Sequence, residues 1–172
     1  MKIVFLDCDG VINQGAGPWL PANVRELNRI TDMTGAKIVV HSSWRYGRDL
    51  EEIRDILRRR GATVTGEVLD LCPVPSGAEK RDSGIIVLSD EDFARFAKGL
   101  PTKWAYERPA AIQAWLDRHP KIKLTDIVIL DDRAADPGMA HLNRRFVRTQ
   151  GDVGLTKELA DRAILMLKGV TW

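Results

Sequence analysis

The 172-residue chain predicts an α/β fold, a parallel sheet covered by helices on both faces. Three observations predict it. Short apolar runs recur along the chain, each followed by a segment with helical spacing. The first of them, Ile3–Leu6, contains no polar residue, as a strand buried on both faces requires. Glycines stand where the helical segments stop. The apolar share of 44% and a net charge of only +2 fit one globular domain spanning residues 1–172.

The elements follow in order. Ile3–Leu6 is the first strand, and residues 14–19 make a short Gly-rich connection. Pro21 starts a helix with Val24, Leu27, Ile30 and Met33 on one stripe and Gly35 as its stop. Lys37–Val40 is the second strand. Residues 49–60 form a charge-rich helix, with Leu50, Ile53, Ile56 and Leu57 inward and Gly61 as C-cap. Residues 62–65 read as a short third strand, 127–130 as a fourth and 145–147 as the last. A helix over 156–168, ended by Gly169, closes the chain.

Residues 66–107 break this rhythm. They hold Pro73, Pro75 and Pro101, a Ser-Gly turn, a mixed-charge run, an apolar strand at 85–88 and a short helix capped by Ser89. A stretch of that length without strand–helix alternation exceeds an ordinary loop. Residues 73–106 therefore read as an insertion over one rim of the sheet, either a small lid or a structural excursion.

Some classes are excluded at this level. No apolar run approaches the ~18 residues of a membrane span. The N-terminus reads as a core strand, with no signal-peptide core. Cys8 and Cys72 sit far apart and in no metal-type spacing, which predicts reduced thiols in a cytoplasmic protein. The Arg-rich helix carries Arg54, Arg58, Arg59 and Arg60, but its acids Asp49, Glu51, Glu52 and Asp55 make it a solvated face.

Candidate chemistry gathers at the ends of the predicted strands. The first strand runs into Asp7, Cys8, Asp9 and Gly10. Strand alternation puts the two carboxylates on one side and turns Cys8 into the core. Like charges that close repel unless a cation lies between them or one is protonated. A hard divalent metal, magnesium, is the economical explanation, and a strand end followed by an Asp-Gly turn is the other. The second strand runs into His41, Ser42, Ser43, Trp44 and Arg45. Hydroxyls beside free backbone N–H groups suit phosphate oxygens, and Arg45 offers a bidentate contact. A Ser pair capping a turn accounts for the same residues. The fourth strand runs into Asp131, Asp132 and, a turn later, Asp136, so two acidic strand ends can converge on one metal. Arg108 lies at a helix start, where a cation opposes the macrodipole and suggests an anionic partner.

Taken in order, these segments resemble the haloacid dehalogenase (HAD) superfamily of phosphotransferases. FLDCDGVIN is similar to its first motif, IVVHSSW to its second and VILDDRAAD to its fourth. Arg108 is the choice for the cation of the third motif, with Lys80 and Lys103 as rivals. The resemblance is closer still to the HAD domains of Swiss Army Knife RNA-repair proteins. It is carried by Ser42 to Arg45, by Arg108 with Ile112, Trp115 and Leu116, and by Gly154, Leu155 and Thr156.

The resemblance implies a Rossmann-like parallel sheet in the order 3-2-1-4-5. It implies a phosphatase in which Asp7 attacks phosphorus and Asp9 serves as general acid and then base. Magnesium would be held by Asp7, the Asp9 carbonyl and Asp132 or Asp131, with Asp136 nearby. Ser42 and Arg108 would hold the remaining phosphate oxygens, and Ser43 and Arg45 join them as phosphate-binding candidates on their residue chemistry. The substrate would be a phosphorylated RNA or DNA end or a nucleotide. A catalytically silent phosphate- or partner-binding domain is the alternative, and loss of Asp7 or Asp9 would be its mark.

Overall fold

A computed structural model describes residues 1–15, 17–46, 48–62, 68–74, 107–133 and 137–170. Its center is a five-stranded parallel sheet in the order 3-2-1-4-5: β1 (Ile3–Leu6), β2 (Lys37–Val40), β3 (Val68–Leu71), β4 (Ile127–Asp131) and β5 (Phe146–Arg148). The helices are α1 (Pro21–Thr34), α2 (Leu50–Arg59), α3 (Glu107–Arg118) and α4 (Lys157–Leu167). Among the described residues, none of them is long and apolar enough to cross a membrane.

β1 is central because all four of its side chains are apolar and find cover on both faces. Val4 and Leu6 join Ile38, Val40, Val128 and Leu130 in one core, under α1 and α4. Ile3 and Phe5 join Val39, Ile127 and Ile129 in the other, under α3. Trp115 of α3 anchors the second core. Its ring meets Phe5 edge-on at 5.4 Å, and its indole N–H donates to Asp70 at 2.7 Å. Burying an aromatic of that size contributes on the order of 2–3 kcal/mol.

Three expectations shift. The strand beside β2 is Val68–Leu71, not 62–65; residues 63–67 lie outside the described set. The reason is visible at the end of α2. Gly61, at φ +78°, donates to the Arg58 carbonyl, and Ala62 donates to that of Leu57, which closes the helix. Ala62 is therefore part of a helix stop. The polar Asp70, held by Trp115, disguised the true strand. Met33 is exposed, and Thr31 takes the inward place on α1. β5 begins one residue later than expected because the Arg145 side chain donates to the Ile127 and Met166 carbonyls. The strand at 85–88, the helix capped by Ser89, Lys80, Lys103 and Asp136 lie outside the described residues, as does the expected insertion 73–106 apart from Pro73 and Val74.

Candidate active site

The sheet register builds the site. Leu6 pairs with Val40 on one side and Leu130 on the other, so Asp7, His41 and Asp131 stand level at the ends of three adjacent strands. The ladder continues through them. The Asp7 N–H donates to the Leu130 carbonyl at 2.9 Å, and that of His41 to Leu6 at 3.1 Å. The backbone, not a loop, sets these positions. The C-terminal edge is where open α/β sheets gather their ligands.

Arg108, in the first turn of α3, reaches over this edge. One of its nitrogens, Nη1, donates to Asp7 Oδ2 and to Asp131 Oδ2, each at 2.7 Å. All three side chains are at most 7% exposed. The other oxygens are also engaged: Asp7 Oδ1 accepts from the Cys8 amide and Asp131 Oδ1 from the Arg133 amide.

One buried guanidinium facing two buried carboxylates leaves negative charge in excess. Burial pushes the Asp7 carboxyl up to about 6; Arg108 and the Ser42 hydroxyl oppose the rise, and Asp131 adds to it. Asp131 goes the other way. Burial disfavors its charge, but Arg108 and the Arg133 amide outweigh this and hold it below the usual carboxylate range. Asp132 is raised by burial and by Asp131. His41 is wholly buried, and burial drives it down to about 3, with Asp131 opposing. It is neutral at ordinary pH, so its 3.8 Å approach to Asp131 is not an ion pair there.

Asp7, Asp131 and Asp132 each bring a carboxylate oxygen within 4.8 Å of the others. Three hard oxygen donors with surplus negative charge fit a divalent cation of the magnesium type. Glycines confine Asp132. A Cβ on Gly10, at φ +76°, would collide with the Asp132 carboxylate, and one on Gly151 would lie 2.8 Å from its Oδ2. The Thr149 hydroxyl ties Gly10 down by donating to its carbonyl at 2.7 Å. Beside Asp132 opens a cavity of about 460 Å³, lined also by Arg148, Gln150 and Asp152.

Asp9 is placed differently from expectation. The strand ends at Leu6, and the Cys8 carbonyl takes the amides of Val11 and Ile12, so the chain turns after Asp7. The Asp9 carboxylate accepts from Asn13 Nδ2 at 2.8 Å and from Trp44 Nε1 at 3.0 Å. It is not one of the three clustered acids. Cys8 is buried in the core, as expected.

Ser42 is buried beside Asp7, and Ser43 opens the short 3-10 helix Ser43–Tyr46. The Arg45 guanidinium donates to the carbonyls of His41 and Ser42 and to the Tyr46 hydroxyl. It stitches together the loop after β2. Sequence reasoning singled out neither Asn13 nor Thr149 and Gly151. Asn13 had a local signal, four residues after Asp9. Thr149 and Gly151 had none, because only the β4–β5 pairing brings them to Asp132.

A family model described as the HAD domain in Swiss Army Knife RNA repair proteins matches residues 3–160. No curated protein and no solved structure matches the chain.

Proposed function

The chain belongs to the family of HAD domains in Swiss Army Knife RNA repair proteins, and from that premise we propose that it is a magnesium-dependent phosphatase acting on the phosphomonoesters of nucleic-acid ends or nucleotides. The observation that carries the reading is the fork of Arg108 between Asp7 and Asp131, at level strand ends and with negative charge in excess. The fork sets a guanidinium beside the carboxylate proposed to attack, where its remaining N–H groups can donate to phosphoryl oxygens. A cytoplasmic setting is part of the proposal; Cys8 and Cys72 are both buried and sit in no metal-type spacing.

The proposed reaction has two steps. An oxygen of Asp7 attacks phosphorus, and the bond to the leaving oxygen breaks as Asp9 gives that oxygen a proton. Asp9 then takes a proton from water, whose oxygen attacks the aspartyl-phosphate and frees Asp7 and inorganic phosphate. Arg108 and the Ser42 and Ser43 hydroxyls hold phosphoryl oxygens. Arg45 serves the phosphate by fixing the loop that carries those serines. Asp7, Asp131, Asp132 and the Asp9 carbonyl would hold magnesium, with Asp136 a further candidate ligand, and the ion would supply positive charge to offset that of the transferring group. The raised carboxyl of Asp7 makes metal and proton competitors.

A screen of phosphorylated substrates tests the reading. Oligonucleotides with 5′- or 3′-phosphates, and mononucleotides, should release inorganic phosphate with magnesium and stop on chelation. Asp132→Ala should weaken magnesium dependence strongly. Release that ignores chelation would remove the metal from the proposal, and silence on every ester would leave a phosphate-binding domain without turnover.

Magnesium affinity should also fall with pH. Below about 6 Asp7 carries a proton in the metal-free site, so binding must expel it, and affinity drops by up to about tenfold per pH unit. Calorimetry in buffers of different ionization enthalpy measures both the affinity and the released proton. A flat profile between pH 5 and about 7 would mean that Asp7 is not a ligand.

A further inference from the structure

The Asp9 carboxylate is held from two sides. Trp44 Nε1 donates to Oδ2 at 3.0 Å, and Asn13 Nδ2 donates to Oδ1 at 2.8 Å. A turn about the carboxylate's own bond would break both. The two donors are themselves locked. Asn13 is 2% exposed, and its Oδ1 accepts the Gly10 N–H at 3.1 Å, which obliges its NH₂ to face Asp9. The Trp44 ring packs edge-on against Trp19 at 5.7 Å, and the Arg48 guanidinium lies 5.2 Å from its center. An indole N–H can only donate, so it demands an acceptor lone pair at that spot.

We propose that Trp44 is a positioning residue for Asp9. With Asn13 it fixes the carboxylate in one orientation, so that proton delivery to the leaving oxygen needs no search among rotamers. This rests on Asp9 being the acid–base group of the proposed phosphatase. One lone pair of each Asp9 oxygen is occupied by a donor, so the proton in transit uses the pairs left over. The β1–β2 register makes the arrangement possible by carrying Trp44 from the loop after β2 to the turn after β1.

The role separates from mere packing by the leaving group. A nitrophenolate departs without a proton, whereas an alkoxide needs one, so loss of acid positioning is felt only by alkyl phosphates. Trp44→Phe keeps the ring against Trp19 and removes the N–H. Asn13→Asp keeps the acceptor for Gly10 and removes the donor to Asp9. In each variant, with folding checked by circular dichroism, kcat/KM for an alkyl phosphate should fall by about tenfold or more, and that for 4-nitrophenyl phosphate by less than about threefold. Asp9→Asn should show the same pattern, more steeply. An equal fall on both esters, or no fall on either, in variants of an active wild type would overturn the positioning role and leave the phosphatase reading standing. A wild-type chain silent on both esters would overturn the phosphatase reading, and this inference with it.

Discussion

Asp7→Asn will bring phosphatase turnover below about one percent of the wild-type rate, a loss of at least ~2.7 kcal/mol in transition-state stabilization. The substitution removes the charge proposed to attack phosphorus and almost nothing else. The amide keeps an oxygen for the Arg108 fork, and its size suits a pocket where Asp7 is 1% exposed. One of the two carboxylates crowding Arg108 becomes neutral, so the surplus negative charge shrinks. The metal-free variant should melt no lower than the wild type, and magnesium should raise its melting temperature less. Initial rates on a phosphomonoester and parallel thermal melts check both halves. Residual turnover well above one percent, in a folded variant, would take the nucleophile's role away from Asp7.

Arg108→Met should do more damage to the fold than any other single change in the site. It leaves Asp7 and Asp131 facing each other, buried and without their shared cation. Removing one partner from a buried ion pair costs roughly 3–5 kcal/mol. In a protein of this size that lowers the melting temperature by on the order of 10 °C. Millimolar magnesium should restore a large part of the loss, because a divalent ion can take over the neutralization. Adding Asp7→Asn to Arg108→Met should also recover stability, since one of the stranded charges is then gone. Melts with and without magnesium, for the single and double variants, measure the coupling. A metal-free Arg108→Met protein that melts with the wild type would show that the fork contributes no net stability. Turnover should fall as well, through loss of a phosphate contact.

The strand-end acids were legible because runs such as Ile3–Leu6 leave no doubt about where a buried strand stops and its acids begin. Arg108 was legible for a different reason, as a cation where the helix dipole disfavors one. What stayed hidden depends on register. The Asp9–Trp44 bond joins residues 35 positions apart, and nothing local announces it. Thr149 and Gly151 reach Asp132 only through β4 and β5. Arg45 adds a local network that its phosphate chemistry did not announce. Its guanidinium also donates to two carbonyls and a hydroxyl within a few residues. The third strand was missed because the pattern Val-Leu-Asp-Leu carries an acid whose partner, Trp115, is 45 residues away.

The level ending of β2, β1 and β4 reaches beyond geometry. Amides that close the sheet also border the site: Asp7 bonds to Leu130, His41 to Leu6 and Thr149 to Asp131. Such amides exchange with solvent deuterium only when the central sheet opens, and in a sheet of this burial that is the global event. The backbone that sets Asp7 and Asp131 is therefore expected to have no private melting transition. It stays assembled while the domain is folded and is lost all at once when the domain unfolds. A destabilizing substitution far from the site would then lower the fraction of molecules that work without altering the quality of those that do.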